Sequence, residues 1–307
     1  MEKRLTRTDL MFALGFLFML IVAVGAFFYG VKIGASQAEA RQEKAAGSAS
    51  AAAAETAAAY QLQDLVSFYH TVFLPYREFM DEWQSAGQKW LTDETADRSA
   101  SLKELAKTAN NKYESAKVSY IPPVSPLLKE AQDEYLKSLK LYASSLSSHA
   151  AAANQGTAST VLNQIYDDAF YKEGLKLGLS AQERYYESMV QWAAGVDMNI
   201  PSHSDYKTIV GLTQWKTLPL VIKNGLTAKY LQEQSIMSDF LPQDLTARID
   251  TFIASGQAER MKLKSMSAIA DLLTQTDAVR AGDFLNAKNR FYAKQLLPQL
   301  PFFSSDK

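Results

Sequence analysis

Apolar residues are distributed along this chain in three ways, and each way predicts a different element. From Leu10 to Val31 the run LMFALGFLFMLIVAVGAFFYGV holds 22 residues without a charge. At about 1.5 Å of rise per residue a helix of that length is roughly 33 Å long, enough to cross a hydrocarbon core of about 30 Å. Lys3, Arg4 and Arg7 precede it, and Ala38-Glu39-Ala40 offers the small-x-small cut site of a secretory signal. The core of a cleaved signal is only about 7 to 15 residues long, so the length predicts an uncleaved anchor at 10-31 behind a short cytoplasmic tail at 1-9. Basic residues are packed more tightly before the span than after it, where Lys32, Arg41 and Lys44 are spread out. Positive charge marks the cytoplasmic side, which puts the bulk of the chain outside the cytoplasm.

The second regime, 35-59, is dominated by Ala, Ser, Gln, Glu and Lys and buries little. It predicts a spacer that holds the body away from the bilayer, helical in part and interrupted at Gly47-Ser48. Just before it, Ala26, Gly30 and Gly34 repeat every fourth residue, a spacing at which two membrane helices approach closely. They are the candidate seam of a homodimer.

From Tyr60 onward apolar residues recur at intervals of three and four, the period of amphipathic helices. The first stripe runs through Leu62, Val66, Tyr69, Phe73, Tyr76, Met80, Trp83, Gly87 and Trp90, and Pro75 within it predicts a kink. The second, through Leu102, Leu105, Ala109, Tyr113, Ala116 and Tyr120, follows a capping-box pattern at Ser101-Leu102-Lys103-Glu104 and stops at Pro122-Pro123. Ser125-Pro126 opens a third helix whose stripe is Leu128, Ala131, Tyr135, Leu139, Tyr142 and Leu146, with Glu134 on its solvated face. A fourth spans Thr160 to Val196. Four such stripes satisfy one another by packing into an up-and-down bundle over 60-198. Asp197 to Asp205 reads as a boundary, and 205-303 as shorter helices around Leu245 and Ile249, Met266 and Leu273, and Phe284 and Tyr292. No stretch alternates as a strand does.

The 307 residues are 47% hydrophobic and carry a net charge of −1, so nothing in the balance favours nucleic acid. The absence of cysteine excludes disulfides, thiol catalysis and cysteine-based metal sites. His70, His149 and His203 are far apart and match no zinc spacing. No phosphate-binding loop or nucleophile elbow occurs. Asp81-Glu82 and Asp167-Asp168 are adjacent pairs that diverge by about a hundred degrees on a helix, the pattern of a solvated face. Gly174 and Gly178 are spaced for close helix packing rather than for a phosphate. The 4 Trp, 15 Tyr and 15 Phe fall mostly on the stripes, where core packing explains them, and a groove lined by such rings suits a peptide or glycan.

The expected molecule is therefore all-α: a single N-terminal transmembrane helix, then an elongated up-and-down helical bundle followed by a smaller helical region. Its expected role is a membrane-anchored, extracytoplasmic interaction module that binds another envelope protein or itself. It is expected to be neither an enzyme nor a cofactor protein. The alternative is a ligand-sensing ectodomain that signals through a membrane partner.

Overall fold

The computed structural model describes residues 60–201 and 209–304, and every regular element there is helical. Helix α1 is assembled from Leu62–Phe68, a π-helical turn at Tyr69–Phe73, and Leu74–Thr92. Pro75 is the reason for the wide turn. It has no N–H for the carbonyl of Thr71, and its ring crowds that carbonyl. Ser119 Oγ supplies a donor to the Thr71 carbonyl instead, at 3.5 Å. The extra residue in a π-turn rotates everything before it. Leu65 and Phe68 are consequently fully buried, while Leu62, Val66 and Tyr69, the stripe predicted for this segment, are half-buried.

Helix α2 is Arg98–Lys117, three residues earlier than the predicted capping box. Asp97 is its N-cap, accepting from Ala100 N at 3.0 Å, and Ser101 lies within the helix. Tyr120 is past the helix end and 76% exposed, so it leaves the predicted stripe. Helix α3, Pro126–Ala150, begins at Ser125-Pro126 as expected. The single fourth helix is corrected to two, α4 at Ala158–Asp167 and α5 at Ala169–Val196. Asp168 breaks it, because its extended backbone lets its carboxylate cap Tyr171 N at 3.0 Å.

Cross-helix bonds fix the register of α1, α2, α3 and α5. Lys112 pairs with Glu78 and Lys140 reaches Asn110, at 3.0 Å for the latter. Ser138 Oγ donates to the Gly174 carbonyl at 2.6 Å, and Tyr185 Oη to the Leu65 carbonyl at 2.9 Å. In each neighbouring pair one residue number rises as the other falls, the signature of antiparallel packing around the ring α1, α2, α3, α5. Gly178 makes the closest approach: a Cβ there would lie 1.9 Å from Tyr76 Oη. Glu134 is not on a solvated face. It accepts from Arg184 Nε and Ser180 Oγ, both at 3.1 Å, and so links α3 to α5.

The remaining helices are α6 (Leu212–Thr217), α7 (Leu220–Glu233), α8 (Pro242–Ala254), α9 (Gln257–Arg260), α10 (Met266–Gln275) and α11 (Asp283–Phe291). Helix α7 packs between α5 and α8, and Leu220, Val221, Ile222, Leu226, Ala228 and Tyr230 leave it no exposed face. A short 3₁₀ turn, Pro301–Phe303, carries Phe302 back onto Tyr69, Phe73 and Tyr186. Thr56 to Lys307 thereby forms one compact unit. No helix among the described residues is long and apolar enough to cross a membrane. The predicted anchor at 10-31 and the seam residues Ala26, Gly30 and Gly34 lie outside the described residues, as does His203.

Candidate binding groove

Two breaks in helical structure create a concavity beside α1 and α5. The break at Asp168 brings Tyr166, at the end of α4, beside Tyr171, at the start of α5, with ring centroids 5.3 Å apart. Across from them α1 presents Met80, Asp81, Trp83 and Gln84, and the 235–239 segment between α7 and α8 closes the third side. The space they enclose is about 1480 Å³.

The floor is aromatic and the rim is charged. Trp83 belongs to the core, being 2% exposed, and its indole N–H donates to Tyr171 Oη at 3.1 Å. Tyr166 meets the Trp83 ring edge-on at 6.3 Å and is 44% exposed, so its ring reaches the groove. Burial pushes the Tyr171 phenol well above its usual range, so it stays protonated. Around the rim stand Asp81, Glu173 and Asp239, with Lys172 and Lys176 on α5. Burial raises the Asp81 carboxyl, Arg77 opposes that shift, and Asp239 and Glu78 add to it.

Arg77 holds the third wall in place. It is buried, and it donates to the carbonyls of Ser238 at 2.9 Å and Asp239 at 3.1 Å while pairing with Asp81 at 3.5 Å. Gln84 Nε2 adds a bond to the Met237 carbonyl at 3.4 Å. The wall starts at Ser235, whose φ of 55° ends α7 in a left-handed turn closed by Ile236 N to the Leu231 carbonyl at 2.9 Å.

A second polar cluster lies in the C-terminal helices. Asp250 accepts from Trp215 Nε1 at 2.7 Å, Lys223 Nζ at 3.0 Å and Tyr292 Oη at 2.7 Å. Lys223 also stands over the Trp215 ring at 5.3 Å. These partners satisfy one another, and the cluster ties α6, α7, α8 and the residue after α11 together. It leaves nothing turned outward for a ligand.

The residues singled out in the sequence are mostly dispersed. His70 lies against Tyr69, and His149 bonds the Ser145 carbonyl at 2.8 Å. Asp167 pairs with Lys172 at 3.0 Å, and Asp168 is an N-cap. Among the described residues no three His, Asp or Glu side chains gather as metal ligands would. Asp81 alone of those carboxylates reaches the groove. Arg77 and the 237–239 wall were not legible in advance, because nothing local ties residues about 160 positions apart. The groove offers ring faces, amide groups and charges of both signs, which suits reversible recognition of an extended chain. Compared with family models, curated proteins and solved structures, the chain matches none.

Proposed function

We propose that this protein is a membrane-anchored, extracytoplasmic interaction module that holds a segment of another envelope protein in the groove between α1, α5 and the 235–239 wall. The observation that carries this is the pairing of Tyr166, half-exposed on the groove floor, with a wall pinned by buried Arg77. A pre-formed aromatic surface loses little entropy on binding, which is where recognition sites gain affinity. The uncharged run at 10-31 supplies the anchor, and the spacer at 35-59 supplies reach. A second copy of the chain is the other partner that this arrangement accepts.

Site-specific photo-crosslinking in intact membranes tests the proposal. A photoreactive side chain at exposed Gln88, on the groove, is expected to give a discrete protein adduct that the same probe at Lys103, on the outer face of α2, does not. Identical patterns at both positions would remove the groove from the interaction. The ligand-sensing alternative has support in the same aromatic floor, and it predicts a small-molecule thermal shift that Tyr166→Ala abolishes.

A further inference from the structure

One end of the bundle is studded with apolar side chains that its own core does not cover. Of the eleven large hydrophobic residues left exposed among the described residues, five lie in two segments: Val118, Tyr120 and Val124 between α2 and α3, and Val196 and Met198 at the end of α5. Both segments belong to the end where α1 begins. Ser119 reaches Thr71 in α1, and Tyr185, three turns before the end of α5, reaches Leu65. Tyr60, where the described body starts, accepts from Leu127 N at 3.2 Å on its phenol oxygen, which ties the chain's entry to the first turn of α3.

The exposed side chains are displayed on a held loop. Gln132, 3% exposed, spends both hydrogens of its amide on the carbonyls of Ala116 and Ser119, at 3.0 and 2.9 Å. Ile121 is buried as a pin, and Pro122-Pro123 fixes two φ angles before Ser125 N closes a turn on the Pro122 carbonyl at 3.0 Å. A loop built this way cannot fold Val118, Tyr120 and Val124 inward. Scattered apolar residues need no explanation, but a concentrated set marks a surface that meets something apolar.

We infer that this end of the bundle rests on the lipid surface, with Tyr120 and Met198 entering the headgroup region. The inference rests on the anchor in the proposed function. Only 28 residues, 32–59, separate the end of the apolar run from Tyr60. A chain of that length reaches about 30 Å as a coil and about 42 Å as a helix, so either way the bilayer holding the proposed anchor is an apolar partner close at hand. Tyrosine favours the interface because its ring is apolar and its hydroxyl stays hydrated.

The absence of cysteine makes the test clean, since a single introduced thiol carries the only label. The full chain, reconstituted into vesicles of phosphatidylethanolamine and phosphatidylglycerol, is labelled with an environment-sensitive fluorophore through Tyr120→Cys, Met198→Cys or, at the opposite end of α1, Leu91→Cys. Labels at the first two positions are expected to be quenched several-fold more by headgroup-proximal nitroxide lipids than the Leu91→Cys label, and shielded from aqueous iodide. Equal iodide quenching at all three positions overturns the inference. Shielding from both quenchers overturns it too, because the end is then covered by protein. A chain that does not float with the vesicles removes the anchor itself, and this inference with it.

Discussion

Asp244 joins two of the C-terminal helices through a single carboxylate. It is 4% exposed and accepts from three backbone amides: Leu241 N at 3.0 Å, Gly282 N at 3.1 Å and Phe284 N at 3.0 Å. One carboxylate thus caps the start of α8 and ties down the start of α11. Leaving a buried amide without a partner costs about 1–3 kcal/mol, so Asp244→Ala is expected to lose at least about 3 kcal/mol in urea unfolding. A small gain is available at Lys262. Ser235, Lys262 and Asp277 adopt φ of 55°, 58° and 52°, each two residues past the last residue of a helix. Each is followed by a residue whose N–H returns to the helix at 2.9 Å: Ile236 to Leu231, Leu263 to Ala258, Ala278 to Leu273. These are the left-handed closures that glycine usually makes, so the positive φ values are helix stops and not catalytic strain. Left-handed backbone costs a bulky residue about 1–2 kcal/mol, and glycine returns about 0.4–1 kcal/mol of that as unfolded-state entropy. Lys262→Gly is therefore expected to stabilise the fold by about 0.5–1 kcal/mol, read as a raised melting temperature.

At the scale of elements, two glycines in long helices do opposite jobs. A Cβ on Gly178 would strike Tyr76 Oη at 1.9 Å, whereas one on Gly87 would meet Leu162 Cδ2 at an ordinary 3.5 Å. Overpacking of a tight core typically costs about 1–3 kcal/mol, so Gly178→Ala should destabilise the bundle by at least that much. Adding Tyr76→Phe removes the colliding oxygen, and the double variant should lose less than the sum of the two single ones. Gly87→Ala should gain up to about 1 kcal/mol from helix propensity alone. Urea melts of the four variants give the comparison. The bundle was legible in the sequence because each of its helices has one buried and one wet face. Helix α7 was not, since a helix buried all round has no periodic contrast to read. The true starts at Asp97 and Asp168 were missed for a related reason: a capping side chain is recognised by where its backbone turns, and Asp occurs on solvated faces as well. The groove was the least legible feature, because its floor comes from two helix ends and its wall from a loop about 160 residues away.

For the whole molecule, the interior is rich in phenols, and that sets its response to alkali. Burial pushes Tyr76 up to about 12 and holds Tyr135, Tyr142, Tyr185 and Tyr186 well above the usual range. A folded value above the unfolded one, near 10 for tyrosine, means that the folded state keeps its protons longer. The stability these phenols confer is complete below about pH 10 and is lost as pH rises toward the folded values. Tyrosinate absorbance and the loss of helical circular dichroism are expected to appear together in one steep transition above about pH 10. Phenols that ionise while the helices persist would mean that water reaches them. The enclosure of α7 matters at the same scale. Its Gly225 lies against Val190, where an added Cβ would be 3.6 Å from Cγ2, and Tyr186 bonds Gln243 beyond it. A chain cut back to Val196 is expected to expose that wall and aggregate on expression, in contrast to the full chain, as sedimentation would show. In the history of such a protein the helices from Leu62 to Phe291 must be inherited as one block, because no cut between them leaves both pieces with a covered core.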